Sequence, residues 1–433
     1  MGLRRFIARW LLALCVAWSL MGLVLANLAQ EAVAAETVIR DIRIEGLHRT
    51  RPRTVLRQLP FARGDVWRDE DAAIGERWLR NLGLFSEAHI EPPDPDGVVH
   101  VRVRERWSLW LLPRATRRDN GASSVGLALD EFNLWGLGHH LNMSVVEDTG
   151  TNFSDARGQT LNLGYDWPRI ADSMFGLNVS GSWGQSRFDA YQNGVFVARY
   201  LQDLRSVSAV LRYALGPVEG EGWGVRAGFA GTNTAFRLKR GQPQPDVVGV
   251  RKHTLLAGAS YRRVDDRITW LTGLSMDWSL ALSHRSLGSN INVWRQELLL
   301  RDYVPVGRNN TVNLRLDGGL AGGDVLRDGL FDIGNRNQLR GYFPGEVQGK
   351  RYALGTIEGR FLPRPDSNIQ LVAFTDAAWV GGRIGAPDRT FVGVGGGLRW
   401  TLRWLVRGTI RADAAYGFAT RRWRFYLGTR QAF

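Results

Sequence analysis

From Trp107 to the end, apolar and polar residues alternate in segments of about ten, separated by Gly, Pro, Asn and Asp. In Thr160–Trp167, Leu161, Leu163, Tyr165 and Trp167 fall on one face and Thr160, Asn162, Gly164 and Asp166 on the other. Val312–Asp317 sets Val312, Leu314 and Leu316 against Asn313, Arg315 and Asp317. Val406–Tyr416 sets Ile410, Ala412, Ala414 and Tyr416 against Arg407, Thr409, Arg411 and Asp413. A period of two predicts strands. Arginines are rarely buried unpaired, so the polar face has to stay wet. A soluble sandwich would turn the apolar face into a core. A wide barrel, apolar outside and wet inside, suits both faces.

The alternation predicts sixteen strands, at 108–116, 122–132, 138–147, 157–167, 173–187, 196–213, 222–237, 250–264, 269–284, 293–304, 310–322, 351–363, 368–380, 390–402, 406–416 and 422–433. An even number returns the last strand to the side where the first began. Turns at 168–172, 265–267, 305–310 and 363–367 then lie on one side, and longer loops on the other. The longest loop, 323–350, is of a length that is usually functional or disordered.

Thr37–Arg106 is different. Val38–Ile44 alternates and predicts a strand. Pro52–Leu59 predicts a short helix with Pro in its first turn. Asp69–Leu82 repeats apolar Ile74, Trp78 and Leu82 at helical spacing, and Gly83 suits the helix C-terminus. Strands at Ser86–Glu91 and Val98–Glu105 follow. This β-α-α-β-β order, with Leu82-Gly83-Leu84-Phe85 joining helix to strand, resembles a POTRA domain. The resemblance implies a periplasmic domain whose open sheet edge pairs with extended polypeptide. Pro92 and Pro93 end the strand Ser86–Glu91, making Ser86, Ala88 and Ile90 the candidate client-binding edge.

Residues 1–35 read as a secretory signal peptide: Arg4, Arg5 and Arg9, an apolar run over Trp10–Ala29, then small residues at Ala32–Ala35. The domains expected are thus 1–35, 36–107 and 108–433. Net charge is +14, nearly all arginine, with lysine only at 239, 252 and 350. No nucleic-acid-binding signature accompanies that charge, so no nucleic-acid partner is expected. The one cysteine, Cys15, lies in the signal segment, leaving no thiol nucleophile or zinc–thiolate site. Neither His-Glu-x-x-His nor Gly-x-Ser-x-Gly occurs, and the glycines 393, 395 and 397 sit in a strand rather than opening a helix. We expect no enzyme activity, metal or cofactor.

The long loop carries Arg340-Gly341-Tyr342. Alternation turns Glu358 and Asp376, on the two strands that follow, toward the lumen; Phe374 precedes Asp376 by two. Taken alone, Arg340 reads as a solvated loop arginine. A signal segment, a POTRA-like domain, sixteen strands and an Arg-Gly-aromatic tip in the sixth outer loop resemble the superfamily of bacterial outer-membrane insertases and two-partner-secretion translocases, BamA-, TamA- and FhaC-like. The resemblance implies that the loop folds inward and that Arg340 meets Glu358 and Asp376. Leu339 stands where that motif commonly has Val. The last strand, with Phe425 and a terminal Phe433, resembles the signal by which outer-membrane barrels are recognised for insertion. The expected partners are outer-membrane lipids, unfolded outer-membrane or secreted polypeptides, and periplasmic accessory proteins. The alternative is a passive solute pore.

Overall fold

The computed structural model describes residues 37–117, 123–149, 158–192, 195–307, 309–364 and 367–429. The expected signal peptide and Phe433 lie outside the described residues. The first domain runs β1 (Asp41–Glu45), α1 (Pro52–Leu56), α2 (Asp69–Asn81), β2 (Phe85–Glu91) and β3 (Val98–Glu105). Its sheet has the order β1-β3-β2, with β1 parallel and β2 antiparallel to β3. The first strand starts three residues later than alternation predicts, because Val38 makes only an isolated bridge to Val66. The first helix stops at Leu56 rather than 59: Gln58 and Leu59 N–H turn back onto the carbonyls of Val55 and Leu56. The second helix buries Asp71, Gly75, Trp78 and Leu79 rather than a stripe of Ile74, Trp78 and Leu82. It packs on two bodies at once: Leu79 joins the domain's own core, while Trp78 lines a cavity shared with the second domain.

The second domain is one sixteen-stranded sheet, with neighbours in sequence pairing antiparallel throughout. Its strands are β4 (Leu109–Arg117), β5 (Ser123–Leu134), β6 (His139–Thr149), β7 (Gln159–Trp167), β8 (Phe175–Gln192), β9 (Val195–Ala214), β10 (Gly222–Gly241), β11 (Val250–Asp266), β12 (Leu271–Ser283), β13 (Val293–Val306) and β14 (Asn310–Gly323). A two-stranded pair within the long loop, β15 (Phe331–Asp332) and β16 (Gln348–Gly349), interrupts the series. It resumes with β17 (Arg351–Phe361), β18 (Ile369–Gly381), β19 (Arg389–Thr401), β20 (Thr409–Gly417) and β21 (Arg422–Thr429). All sixteen expected strands are present. The fifth runs on to Gln192 rather than 187 and the seventh to Gly241 rather than 237. Ala190, Ala198, Tyr200 and Val247 form a small apolar core that supports these extensions beyond the wall. The fifteenth starts at Thr409, since residues 402–408 close a turn through Leu402 N–H to Gly408 O and Leu405 N–H to Leu402 O.

Burial is inverted relative to a soluble sheet. Leu314, Leu316, Ile357, Leu371, Trp379, Leu398 and Ile410 are exposed on the outside, while Asn313, Arg315, Asp317, Glu358, Arg360, Gln370, Arg399 and Asp413 are buried inside. Tyr213, Trp223 and Phe175 sit on the outer face near the turn side, in the ring contacts Trp223–Tyr261 and Phe175–Tyr213, as an interfacial aromatic belt requires. Among the described residues no ladder pairs β4 with β21. Instead the linker hooks the foot of the wall: Trp107 N–H donates to Trp404 O and Val406 N–H to Trp107 O.

The small domain docks under the barrel mouth. Arg77 pairs with Glu221 at 2.8 Å, Arg49 with Glu131 at 3.1 Å and Arg80 with Asp265 at 3.5 Å. Asn81 binds the end of β11 in both directions, donating to Val264 O and accepting from Asp266 N–H. Leu84, Phe85 and Val103 form one apolar core with Trp110, Phe132, Leu405 and Val406 of the barrel.

Candidate functional site

The loop between β14 and β17 enters the lumen and stops at the wall. Gly334 and Leu339 bridge, and Leu339 N–H donates to Ile333 O, which closes a tight turn. Leu339 is fully buried with Phe331, Ile333, Tyr342, Val347, Tyr352 and Leu354, so the position takes Leu without loss of packing. Below that cluster comes the Arg-Gly-Tyr step. Gly341 has φ +95°, a conformation that side chains disfavour. Its N–H donates to the Tyr426 hydroxyl, which in turn donates to Tyr342 O. The Tyr342 hydroxyl donates to Val392 O and accepts from Ala419 N–H.

Arg340 meets both lumen-wall carboxylates. Its Nε and Nη2 donate to Asp376 at 2.7 and 2.8 Å, and its backbone N–H to the same carboxylate at 3.0 Å. Its Nη1 donates to Glu358 at 2.5 Å. The Phe374 ring lies under the guanidinium, 3.3 Å from it. Arg340 is 2 % exposed, and Glu358 and Asp376 are 0 % exposed, so these charges depend on one another rather than on water. Asp376 lies five residues from the outer end of β18, or roughly 15 Å down the wall at a strand's rise per residue.

The network extends past the residues read from sequence. Glu358 also accepts from Arg360 at 2.8 Å and faces Arg399 at 3.5 Å. Arg399 continues to Asp413 at 2.5 Å, and Asp413 pairs with Arg411 at 2.7 Å. Arg411 holds the loop's Arg336 carbonyl and the Asn337 side chain. On the other flank Gln338 donates to Asp317, which also accepts from Tyr352 and Arg315. Arg424 of β21 pairs with Glu346 of the loop at 3.0 Å. The wall glycines leave room for the tip. A Cβ on Gly393 would stand 1.9 Å from Arg340 O, and one on Gly417 2.3 Å from Gly341 O. Alternation had marked several of these arginines as lumen-facing; the specific partners depend on how far the loop descends.

This arrangement is accompanied by similarity over most of the barrel. Residues 133–432 match the Omp85 superfamily domain. The chain belongs to the Omp85 superfamily. Residues 37–106 match the POTRA model, described as surface antigen variable number repeat. Two curated relatives are outer membrane protein assembly factors BamA. That of Neorickettsia risticii is 31 % identical over 126 residues, 27 % of this chain and 16 % of the relative. That of Neisseria meningitidis is 37 % identical over 103 residues, 23 % of this chain and 13 % of the relative. The fold is shared with CdiB from Escherichia coli, at a TM-score of 0.62 and 14 % identity over 91 % of this chain and 74 % of that one. BamA from Haemophilus ducreyi lacking POTRA domains 1-3 gives 0.53 and 14 % over 90 % and 83 %. This Omp85 protein is an outer-membrane β-barrel with its POTRA domain in the periplasm.

In this Omp85 chain the POTRA edge β2 pairs on one side only among the described residues, and one of its outward donors is taken. Ile90 N–H points away from β3 and donates to Glu76 of α2 at 3.0 Å. Ala88, two residues back, faces its N–H the same way by alternation. The Ser86 hydroxyl donates to Arg104 O within the sheet. Phe425 is on the outer face of β21, 77 % exposed.

Proposed function

We propose that this Omp85 protein assembles, inserts or translocates polypeptides at the outer membrane. Its POTRA domain pairs extended clients along β2, and the barrel passes them at the seam between β4 and β21 or through the lumen. The observation that carries this reading is a lumen obstructed twice: the Arg340 tip is pinned to the wall from above, and the POTRA domain is docked across the mouth from below. A passive pore is served by an open lumen; a gated path for polypeptide needs closure when idle. The buried ion pairs are assigned a holding and register role, the best-attested use of such groups, rather than catalysis.

The test uses the full chain in liposomes, given an unfolded outer-membrane polypeptide or an exported one, with small-solute swelling read in parallel. Accelerated appearance of heat-modifiable or protease-protected client supports the proposal. Fast swelling, with client behaviour as in empty liposomes, returns the protein to the pore reading.

A further inference from the structure

Across β11 to β14 one transverse row of the lumen wall reads Arg262, Ser275, Arg301, Arg315, each residue registered on the next. Paired residues of an antiparallel sheet share a face. Three guanidiniums therefore stand on one side of the wall within three strand spacings of about 5 Å each. Like charges directly opposite one another destabilise a sheet. Arg315 is neutralised by Asp317 and also donates to Asn337 O. Arg262 and Arg301 make no hydrogen bond or close ion pair with any described residue, and Arg301 Nε is buried without an acceptor. Asp266 acts on Arg262 electrostatically, shared with Arg106 and Arg407 and from beyond hydrogen-bond distance; two other carboxylates nearby are committed. Asp277 takes two bonds of 2.7 Å from Arg226, and Asp317 is held by Arg315, Gln338 and Tyr352.

The row opens on space. Arg262, Ser275 and Arg301, with Arg212, Arg226 and Ser260, line a cavity of about 290 Å³ whose other wall carries Glu219, Glu221 and Asp277; Glu221 is paired with Arg77 and Asp277 with Arg226. Arg262, Arg301 and Arg212 also border a chamber of about 760 Å³ floored by the POTRA domain. Arg106 reaches that chamber from the linker, and the hydrogen bonds it makes go to the carbonyls of Gly83, Arg403 and Leu405.

We propose that Arg262 and Arg301, with the Ser275 hydroxyl between them, bind a phosphate group, either as the free ion or as an ester such as a lipid headgroup. A guanidinium presents its donors as a rigid fork that matches two phosphate oxygens at once. A serine hydroxyl can donate to the third oxygen. Two cations two strand spacings apart, about 10 Å, favour a dianion over chloride, and the bound dianion relieves the repulsion along the row. The site is independent of the transport reading, since it needs only the wall and its cavity.

The experiment is a ³¹P-detected titration of the full chain in detergent at constant ionic strength, with inorganic phosphate and glycerol phosphate as separate arms. Saturable binding is expected in at least one arm. Arg262→Gln or Arg301→Gln alone should weaken it about tenfold, the scale of a lost charge-assisted hydrogen bond, and the double variant should abolish it. Preference for glycerol phosphate assigns the ester, and rejection of it assigns the free ion; either result supports the site. No saturable binding by the wild type, or wild-type binding by the double variant, overturns the proposal. Heat-modifiable gel mobility checks the barrel. If the double variant does not fold, Ser275→Ala and Arg301→Lys carry the test, and unchanged binding in both overturns it equally.

Discussion

At the residue scale, the three charges at the loop tip are unequal. Among the described residues the hydrogen bonds that Asp376 accepts all come from Arg340. Glu358 is shared by Arg340, Arg360 and Arg399. Arg340→Ala strands a buried carboxylate, at a cost of about 3–5 kcal/mol for a fully buried pair. Replacing Asp376 in the same chain removes the stranded charge, so Arg340→Ala/Asp376→Ala should be less destabilised than the sum of the single variants. A double-mutant cycle on denaturant unfolding measures this, and additive effects would refute the pairing. Glu358→Gln should be worse than Asp376→Asn, because it leaves three arginines around one missing anion. The faces of Glu358 and Asp376 were legible from alternation. The burial of Arg340 was not: a loop residue has no period to say which way it faces.

At the element scale, the tip needs a smooth wall and the POTRA edge needs an open one. Gly393→Ala and Gly417→Ala put a methyl group where the Arg340 and Gly341 carbonyls lie. Both should leave the strands intact and expel the loop. Expected is faster proteolysis within 336–346 with unchanged heat-modifiable mobility; an equally protected loop would show that the glycines are not needed for docking. On β2, Glu76 occupies the Ile90 N–H that a client strand would use. Glu76→Ala should therefore increase crosslinking of an extended client peptide, while Pro at Ala88 or Ile90 should abolish it. Loss of crosslinking in Glu76→Ala would place the client elsewhere. Sequence located the strand β2 and its open side, but not the carboxylate that reaches it from a helix earlier in the chain.

At the scale of the whole molecule, the strand count makes a topological commitment. A tag in Pro168–Asp172 should be periplasmic and one in Gly241–Val248 exposed outside; labelling both from one side of intact cells would break the sixteen-strand register. The docked POTRA domain should also respond to pH. Glu219, in the turn between β9 and β10, borders the chamber that the domain floors. Burial pushes its carboxyl up to about 7; Asp166 adds to this, while Arg212, Arg169 and Arg57 oppose it. If the docked domain supplies that burial, the carboxyl's pKa rises on docking; it then favours the docked state below its ordinary range, near 4.5, and loses that contribution as pH climbs through about 7. The distance between spin labels at Arg77→Cys and Glu221→Cys, read after equilibration at each pH, should show more docking toward the acid end. Glu219→Gln should flatten the profile, and a flat wild type would discount Glu219.

Alternation along the chain was enough to determine sixteen strands, their inner and outer faces and the long sixth loop, because a period of two is written locally and lipid outside a wet lumen enforces it at every strand; helical spacing with Pro and Gly signals added the POTRA elements. Only tertiary structure decided how deep the loop descends, that Arg360, Arg399, Arg411 and Asp413 extend its anchorage, and that Gly393 and Gly417 make room for it. It also decided that α2 buries Leu79 and Trp78 in two directions, and that Arg262 and Arg301 fall into one register without a hydrogen-bonded carboxylate among the described residues. These are contacts between segments far apart in the chain. Their partners follow from strand register and from the packing of one domain on another, and no local pattern of residues encodes either.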